Sequence, residues 1–382
     1  MRYGRLIRMR LLICTTEYYP HGSGIANVAY NVVMQLEKNG VECIICSPTG
    51  PDIKLGNQTL IKKTGIIGML HYWYQVSRYF NNCDYDAVWL HNPYFIKRPS
   101  FKHSLVTIHT TYLGSSASKI GGPFYRLYKS FVSKLEHYCL MRATPSTHFT
   151  GVSEKVCEEI KKIGVNGNVV YIPNGVDTKR FRPTVKKKEL RKKFGISEDH
   201  TVLLSVGRLT PQKRPYLLME VFSQLEKNHS DLILCVAGRG ELYDEVKAFA
   251  EKHGLNNIIF LGRVDDSDLP DLYACSDYYI MTSRYEGFPL TLLEAMASGL
   301  PCIVSDIPNL KIVDEANAGF IINFDNVQVA VSNILTFLER EHPDQAENAV
   351  HYARSHLDWE IIADEYLEEF RKVILTAVQL PK

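Results

Sequence analysis

The architecture of this chain is clearest in one stretch, Arg284-Tyr-Glu-Gly-Phe-Pro-Leu-Thr-Leu-Leu-Glu-Ala-Met-Ala-Ser-Gly299. Pro289 suits the first position of a helix, where a missing N–H costs nothing, and apolar residues follow it at helical spacing. Gly299 is expected to end that helix. The apolar run at 278–281 is typical of a buried parallel strand. Residues 283–288 are therefore predicted to form a strand-to-helix loop at a sheet edge, where α/β proteins bind ligands.

Two glutamates belong to this stretch, Glu286 in the loop and Glu294 in the helix. A rise of roughly 8 Å separates the helix start from Glu294. Carboxylates so placed suit two hydroxyl clusters on one extended ligand better than an acid/base pair acting on one bond. The free N–H groups of the helix start can hold phosphate or sugar oxygens. The alternative is that both glutamates are solvated surface acids.

Length and composition favour two globular domains in a cytoplasmic protein. The chain has 382 residues, of which 45% are hydrophobic, and no apolar run approaches the length of a membrane span. The apolar run after the basic residues 1–10 is too short for a secretory signal. Several of the nine cysteines lie in strand-like runs, which favours buried, reduced thiols. Cys43 and Cys46 have CxxC spacing, but their place inside a predicted strand argues against a redox or metal role.

Charge is distributed unevenly along the chain. Residues 1–180 contain 22 Lys and Arg against 11 Asp and Glu, which gives +11, whereas residues 181–382 contain 22 against 31, which gives −9. This asymmetry predicts different partners for the two halves.

Both halves repeat a strand–helix alternation that predicts parallel sheets. In the first half, Gly22-x-Gly24 lies between a strand and a helix at 25–38, but the third glycine of a dinucleotide fingerprint is missing, which argues against a dehydrogenase. Residues 177–200 are interpreted as an interdomain connection, and a final helix is predicted at 359–378. The predicted strands are 10–16, 41–46, 86–91, 104–109, 147–152, 169–172, 201–206, 232–237, 258–261, 278–281 and 302–305.

Two cations follow the first strand of the second half. Arg208 comes directly after that strand, and Lys213 lies in the following loop or helix start. An arginine fork and a lysine point charge beside free backbone N–H groups make a site for a diphosphate. The alternative is that Lys213 belongs to a solvated Gln-Lys-Arg patch.

Several motifs together resemble family 4 retaining glycosyltransferases of the GT-B fold. They are Glu286-x7-Glu294 with its surroundings, the Gly207-Arg208…Lys213 pattern and Ile172-Pro-Asn-Gly-Val-Asp177. The resemblance spans nearly the whole chain. It implies two Rossmann-like, doubly wound domains facing each other across a cleft. They would comprise an acceptor-side domain at 1–180, a nucleotide-sugar donor domain at 181–356, and a terminal helix at 357–382 packed back on the first.

The resemblance also implies roles for individual residues. Arg208 and Lys213 would bind the diphosphate, Glu286 the transferred sugar and Glu294 the ribose hydroxyls. His109, at the end of a predicted strand, would reach the donor sugar near the reacting carbon; a structural histidine is the alternative. The catalytic group is thus His109, Glu286, Arg208 and Lys213, and the donor-binding group is Gly22, Gly24, Arg208, Lys213, Arg263, Val264, Glu286, Gly287, Phe288, Pro289, Leu290 and Glu294.

The implied reaction is a retaining transfer of a hexosyl group from a UDP- or GDP-sugar to a hydroxyl of a glycan or lipid-linked acceptor. No second carboxylate is obviously placed as a nucleophile, and the resemblance implies a front-face displacement, in which the departing phosphate oxygen takes the acceptor proton. No cofactor beyond the donor, no metal and no nucleic-acid partner is expected; Asp265-Asp266 is interpreted as a helix cap. The alternative function is a non-catalytic nucleotide-sugar-binding or regulatory subunit of the same fold.

An anionic membrane surface is a further candidate partner. Residues 119–134 mix aromatic and basic side chains, and residues 65–74 are apolar and aromatic. Such segments can rest on anionic lipid and reach a lipid-linked acceptor, which would place the protein peripherally at the inner face of the membrane. The alternative is that they form ordinary amphipathic helices of the core.

Overall fold

The computed structural model describes residues 9–80, 84–97, 99, 101–118, 122–144 and 146–376. The chain divides into two compact units, one comprising Met1–Asn174 with Trp359–Lys382 and the other Gly175–Asp358. The first unit therefore ends at Asn174 rather than at residue 180. In each unit, a parallel sheet is flanked by helices, as predicted from the repeated strand–helix pattern.

In the first unit, the described residues form a seven-stranded parallel sheet of order β3-β2-β1-β4-β5-β6-β7. Its strands are β1 (Arg10–Cys14), β2 (Glu42–Ser47), β3 (Ile53–Lys54), β4 (Ala87–His91), β5 (Ser104–Ile108), β6 (Thr147–Gly151) and β7 (Val169–Tyr171). Its helices are α1 (Gly24–Lys38), α2 (Gln58–Thr64), α3 (Ile66–Tyr79), α4 (Tyr112–Ala117), α5 (Pro123–Leu140), α6 (Glu154–Ile163) and α15 (Trp359–Thr376). Strands β4, β5 and β6 are buried throughout, as expected for parallel strands covered on both faces.

The last helix, α15, belongs to the first unit although it is farthest from it in sequence. One face of α15 is fully buried against α1, β4 and β5, and Tyr366 lies close to Trp89, with ring centroids 4.8 Å apart. Buried apolar residues on this face are Trp359, Ile362, Ala363, Tyr366, Phe370 and Val373. Part of the predicted end of this helix, residues 377–378, lies outside the described residues.

In the second unit, the described strands form a six-stranded parallel sheet of order β10-β9-β8-β11-β12-β13. The strands are β8 (Thr201–Val206), β9 (Leu232–Ala237), β10 (Ile258–Gly262), β11 (Tyr278–Met281), β12 (Cys302–Ser305) and β13 (Gly319–Ile322). The helices are α7 (Lys187–Lys193), α8 (Pro215–Leu225), α9 (Tyr243–Lys252), α10 (Leu269–Ala274), α11 (Leu290–Ala297), α12 (Ile312–Glu315), α13 (Val327–Leu338) and α14 (Pro343–His356). Short 3-10 turns occupy Pro211–Lys213 and Pro308–Leu310.

The structure corrects three local predictions. Helix α7 lies within the stretch 177–200 that was interpreted as a connection, because its Arg191 is buried and bonded to the rest of the unit. Pro289 is the N-cap of α11 rather than its first residue, since its ψ of 121° is extended. The edge strand β13 was not predicted.

Within the described part of the chain, no helix combines the length and the apolar character needed to span a bilayer.

Candidate functional site

A charged pair lies at the carboxyl edge of the second sheet. Lys213, at the end of the 3-10 turn after β8, places its Nζ 2.6 Å from Oε1 of Glu286 in the loop after β11. Glu286 is buried, so the alternative of a solvated surface acid is wrong for this residue. A buried carboxylate requires a counter-charge, which Lys213 supplies. Two residues predicted to bind one ligand are thus brought together.

Backbone and side-chain hydrogen bonds join the two loops that carry this pair. Gln212 donates from Nε2 to the carbonyl of Tyr285 at 2.8 Å, and the N–H of Arg284 donates to the carbonyl of Gln212 at 2.9 Å. The hydroxyl of Thr282 donates to the carbonyl of Lys213 at 3.0 Å. These bonds fix the loop of Glu286 against the turn of Lys213 before any ligand arrives.

Arg214 is a positioning residue that sequence reasoning missed. Its backbone is left-handed, with φ 52°, and its side chain donates to the carbonyl of Thr282 at 2.5 Å and to the hydroxyl of Ser305 at 3.1 Å. Burial, with the nearby Arg284, lowers its pKa to about 10. The sequence alternative of a solvated Gln-Lys-Arg patch is therefore wrong for Arg214.

Glycines at neighbouring strand ends bring the backbone close together beside Lys213. A Cβ added at Gly238 would lie 2.0 Å from the carbonyl oxygen of Gly207. Gly207 has φ +155°, and a Cβ added there would lie 3.9 Å from Nζ of Lys213. Arg208 is exposed at the same edge. Gly207, Arg208 and Lys213 line one small cavity together with Ser283.

Ser283 was not singled out from the sequence. Its side chain is buried, and its Oγ makes no hydrogen bond to the described residues. Because buried hydroxyls are nearly always hydrogen-bonded, this one marks a position that a ligand can complete. A single serine in a loop carries no pattern by which sequence could have identified it.

Glu294 lies on α11, where its contact is with Tyr273 rather than with the Lys213–Glu286 pair. Its Oε2 accepts a hydrogen bond of 2.8 Å from the hydroxyl of Tyr273 on α10. Burial raises its pKa to about 7. It is therefore half-buried and oriented by a neighbour rather than freely solvated, and Tyr273 is a second positioning residue that sequence did not reveal.

The remaining predicted residues of the second unit lie around α11 and β10. Gly287 and Phe288 are buried before the helix, and no side chain among the described residues caps its N-terminus, so the first N–H groups remain available. Arg263 is exposed and Val264 half-buried just after β10. The Asp265-Asp266 cap is wrong: Asp268 is the N-cap of α10, and Asp266 pairs with Arg180 at 3.1 Å.

In the first unit, His109 follows β5 and is buried. Its Nε2 lies 2.9 Å from Nδ1 of His91, the last residue of β4. Its backbone N–H donates to Oδ1 of Asn92 at 2.9 Å. Burial lowers the pKa of His109 to about 3, so the imidazole is neutral at physiological pH. Only the pairing of β4 with β5 reveals the contact between His91 and His109.

The glycine loop of the first unit is held by an acidic residue that sequence reasoning did not use. Glu17 accepts a bond of 3.0 Å from the N–H of Ser23, which is the N-cap of α1. A Cβ added at Gly22 would lie 2.6 Å from Cβ of Ala26, so a side chain does not fit there. Gly24 is the first residue of the helix. The contacts recorded for the described residues do not join this loop to His109.

Among the described residues, no group of three or more His, Cys, Asp or Glu side chains is placed to hold a metal ion. The prediction of a metal-independent protein stays a prediction.

Comparison with known families agrees with this architecture. Residues 22–180 match the model described as Glycosyltransferase Family 4, and residues 186–356 match the model described as Glycosyl transferases group 1. The two models together cover most of the chain, which belongs to the group 1 (family 4) glycosyltransferases of the GT-B fold. The family predicted from the Glu-x7-Glu stretch is thereby confirmed.

Curated relatives share part of their length with this chain. UDP-Gal:alpha-D-GlcNAc-diphosphoundecaprenol alpha-1,3-galactosyltransferase of Escherichia coli is 32% identical over 48% of this chain and 48% of its own length. Mannosylfructose-phosphate synthase of Agrobacterium fabrum is 34% identical over 52% of this chain and 47% of its own length. The chain thus spans about half the length of these relatives.

Solved structures share the fold over nearly the whole chain. Sucrose-phosphate synthase from Thermosynechococcus elongatus has a TM-score of 0.79 at 18% identity, covering 97% of this chain and 100% of its own. HepE from Anabaena, solved with UDP and glucose, has a TM-score of 0.72 at 15% identity, covering 95% and 100%. At these identities, the likeness concerns the fold.

Proposed function

We propose that this chain transfers a sugar, with retention of anomeric configuration and without a metal ion, from a nucleotide diphosphate sugar to a hydroxyl acceptor. The observation that carries the proposal is the Lys213–Glu286 pair, 2.6 Å apart at the carboxyl edge of the second sheet. One ligand that presents a diphosphate to the lysine and a sugar hydroxyl to the carboxylate uses both charges. A nucleotide diphosphate sugar has both groups, because its diphosphate is attached directly to a sugar that carries hydroxyls.

The diphosphate would be held by Arg208, Lys213 and the neutral donors around them. Arg208 and Lys213 line one cavity with the buried hydroxyl of Ser283, which makes no hydrogen bond within the described part of the chain. The N-terminus of α11, which no side chain of the described residues caps, supplies backbone N–H groups, including that of Leu290, which favour anionic oxygens. Such groups stabilise charge that grows on the leaving phosphate as the glycosidic bond breaks.

The nucleoside would be recognised by Glu294 and by the backbone near Arg263 and Val264. The Tyr273 hydroxyl occupies one oxygen of Glu294 and leaves the other to accept from ribose hydroxyls. The relative that acts with UDP-Gal and the HepE complex with UDP support a nucleotide donor, and a uracil base is the first candidate.

The chemical step would be a front-face displacement. The bond between the anomeric carbon and the phosphate oxygen breaks, the acceptor oxygen bonds to the same face, and the departing phosphate oxygen takes the acceptor proton. The protein contributes positioning and charge stabilisation rather than a covalent intermediate. Glu286 is already paired with Lys213, which suits it to binding a hydroxyl rather than attacking carbon.

The experiment for the donor is a thermal-shift screen of the pure protein with UDP, GDP, ADP and their sugar conjugates, with and without EDTA. We expect one nucleotide series to raise the melting temperature in both conditions. Product NMR with that donor then reports the anomeric configuration, and an inverted product contradicts the retaining mechanism. A cooperative melt that no nucleotide shifts contradicts a preformed donor site and favours the alternative of a non-catalytic regulatory subunit.

An anionic lipid surface is the partner we propose for helix α5. Phe124, Leu127 and Phe131 recur along one face with exposed fractions of 90%, 70% and 63%. Arg126 and Lys134 lie exposed on the same helix. Exposed apolar side chains beside cations match an interface of acyl chains and anionic headgroups. Three residues of the sequence segment, Lys119 to Gly121, lie outside the described residues.

Two of the relatives have a lipid in their names. Alpha-monoglucosyldiacylglycerol synthase of Streptococcus pneumoniae, 25% identical over 79% of this chain and 72% of its own length, has a lipid in its name. The galactosyltransferase of Escherichia coli has a diphosphoundecaprenol acceptor in its name. An acceptor carried on a lipid is therefore our first candidate.

Cosedimentation with vesicles tests the membrane surface. We expect binding to phosphatidylglycerol vesicles at low salt, little binding to phosphatidylcholine vesicles, and loss of binding in the variant Phe124→Ser, Leu127→Ser, Phe131→Ser. Val329→Ser, at an exposed apolar residue of the second unit, is the control and should bind normally. Equal binding by the triple variant and the wild type rules out α5 as the lipid-binding surface.

A further inference from the structure

Two histidines from neighbouring strands form a buried pair in the first unit. His91 ends β4, and His109 follows β5, with their ring centroids 5.2 Å apart and their planes inclined by 15°. Nδ1 of His91 lies 2.9 Å from Nε2 of His109. One of these two nitrogens must therefore donate a proton to the other.

Both imidazoles are neutral under physiological conditions. Burial lowers the pKa of each, and the neighbouring His109 lowers that of His91 further. A neutral imidazole carries a single N–H, so its other nitrogen is an acceptor. The pair has two arrangements: either His91 donates from Nδ1, or His109 donates from Nε2 and His91 carries its own proton on Nε2.

The remaining nitrogen of His91 distinguishes these arrangements. Nε2 of His91 is fully buried and has no hydrogen-bond partner among the described residues. The ring of Trp89 lies beside it, with centroids 4.2 Å apart, and the indole N–H is already bonded to Thr107. A proton on Nε2 would be an orphaned buried donor, and orphaned donors are rarer than under-satisfied acceptors. The proton of His91 therefore belongs on Nδ1, facing His109.

We propose that His91 is a positioning residue that fixes His109 in the tautomer with its proton on Nδ1. Nε2 of His109 is then permanently an acceptor for His91, and Nδ1–H is the group left for a ligand. His109 thus presents a hydrogen-bond donor, not a base, at the carboxyl edge of the first sheet. If the proposed function holds, this N–H is the donor that His109 offers to an oxygen of a bound substrate.

This tautomer constrains the proton transfer of the proposed reaction. Nδ1 of His109 already carries a proton and has no free lone pair, and Nε2 accepts from His91, so neither nitrogen is available to take the proton of the acceptor hydroxyl. This agrees with the proposed front-face displacement, in which the departing phosphate oxygen takes that proton. The dependence of kcat on pH should accordingly lack a limb from His109.

The test is ¹⁵N NMR of histidine-labelled protein, which distinguishes protonated from bare ring nitrogens and needs no substrate. His109 is assigned from the signals lost in His109→Gln. In the wild type we expect the proton of His109 on Nδ1 and that of His91 on Nδ1. In His91→Phe, which keeps an aromatic ring but cannot donate, the His109 proton should redistribute to Nε2. In His91→Asn, whose amide can take the place of Nδ1, the wild-type tautomer should return.

Kinetics with the donor found by the nucleotide screen supply the second measurement. We expect kcat/KM to fall roughly ten- to a hundred-fold in His91→Phe, as for other histidines that lose an orienting partner, with recovery in His91→Asn. A wild-type His109 protonated on Nε2, or a His91→Phe variant with an unchanged tautomer, overturns the inference. A wild type with the expected tautomer but no transfer from any donor contradicts the proposed function and leaves the tautomer assignment standing.

Discussion

Single residues at the edge of the second sheet divide into those proposed to contact a ligand and those that hold them in place. Arg208 is exposed, and the hydroxyl of Ser283 makes no hydrogen bond to the described residues, so both are candidates for ligand contact. Arg214, in contrast, donates to a carbonyl and a hydroxyl of the same unit, and Tyr273 donates to the carboxylate of Glu294. Substitutions in the first group should change turnover, and substitutions in the second should also change stability.

Arg208→Ala should lower kcat several hundred-fold or more, because it removes a charge that stabilises the departing diphosphate. A loss of that size corresponds to roughly 3–4 kcal/mol, the range for charge-stabilising groups at a transition state. Steady-state kinetics with saturating donor measure it. Arg354→Ala, an exposed arginine on α14, is the control and should leave kcat unchanged. A near-normal rate for Arg208→Ala would falsify the diphosphate role.

Nucleotide affinity should rise with pH through neutrality because of Glu294. Burial raises the pKa of this carboxyl to about 7, so below that pH it is mostly protonated and accepts poorly from ribose hydroxyls. Above it, the carboxylate accepts well, and affinity should reach a plateau. Isothermal titration with the preferred nucleotide measures this change in affinity. A range from about pH 6 to about pH 8 covers one unit on either side of the pKa.

Glu294→Gln distinguishes this carboxyl from other groups that titrate nearby. Burial also raises the pKa of Glu136, in the first unit, to about 7. In Glu294→Gln, binding should be weaker and independent of pH over the same range, while Glu136→Gln should keep the wild-type slope. An unchanged slope in Glu294→Gln assigns the pH dependence to another group.

At the scale of elements, helix α7 shows how a charged segment is built into a fold. Its sequence, KKELRKK, has no apolar face, yet Arg191 is buried and donates to the carbonyls of Cys275, Glu198 and His200. The same guanidinium lies 2.5 Å from the carboxylate of Asp277. One arginine therefore anchors the helix to the start of β11, which leads into the candidate site.

Arg191→Met should destabilise the second unit by about 3 kcal/mol, because it removes the donor to three carbonyls and one of the cations that pair with Asp277. Lys193→Met, on the same helix but in exposed pairs with Asp268 and Asp271, should change stability by about 1 kcal/mol or less. Urea unfolding followed by circular dichroism measures both. Equal effects of the two variants would contradict an anchoring role for Arg191.

At the scale of the whole molecule, the two units offer separate probes. All three tryptophans, Trp73, Trp89 and Trp359, belong to the first unit, so tryptophan fluorescence reports that unit alone. The proposed nucleotide site belongs to the second. Helix α15 completes the first unit from the far end of the chain, burying Phe370 beside Trp89 with centroids 5.8 Å apart.

Phe370→Ala should destabilise the first unit by about 3–5 kcal/mol, the usual range for emptying a buried aromatic site. The fluorescence transition in urea should shift to lower concentration, while nucleotide affinity stays unchanged. Leu375→Ala, exposed on the same helix, is the control and should change the free energy of unfolding by less than about 0.5 kcal/mol. A loss of nucleotide affinity in Phe370→Ala would show that the units are energetically coupled.

The sequence by itself determined most of the strands, the two parallel sheets, the strand-to-helix loop and the family, but not the edge strands β3 and β13. Strands β8, β9, β11 and β12 begin and end where the apolar runs do, because a buried parallel strand is apolar along its whole length. The candidate charges Arg208, Lys213, Glu286 and Glu294 follow from strand ends and a helix start, which are local features of the chain.

Only the tertiary structure decided which side chains meet. Arg214 bonds to a carbonyl 68 positions away, Arg191 to a carboxylate 86 positions away, and His91 to a histidine 18 positions away on the next strand. Such contacts depend on the order of strands in a sheet and on how deeply a polar atom is buried. Neither leaves a periodic signal in the sequence, so the candidate charges could be named from the sequence and the residues that orient them could not.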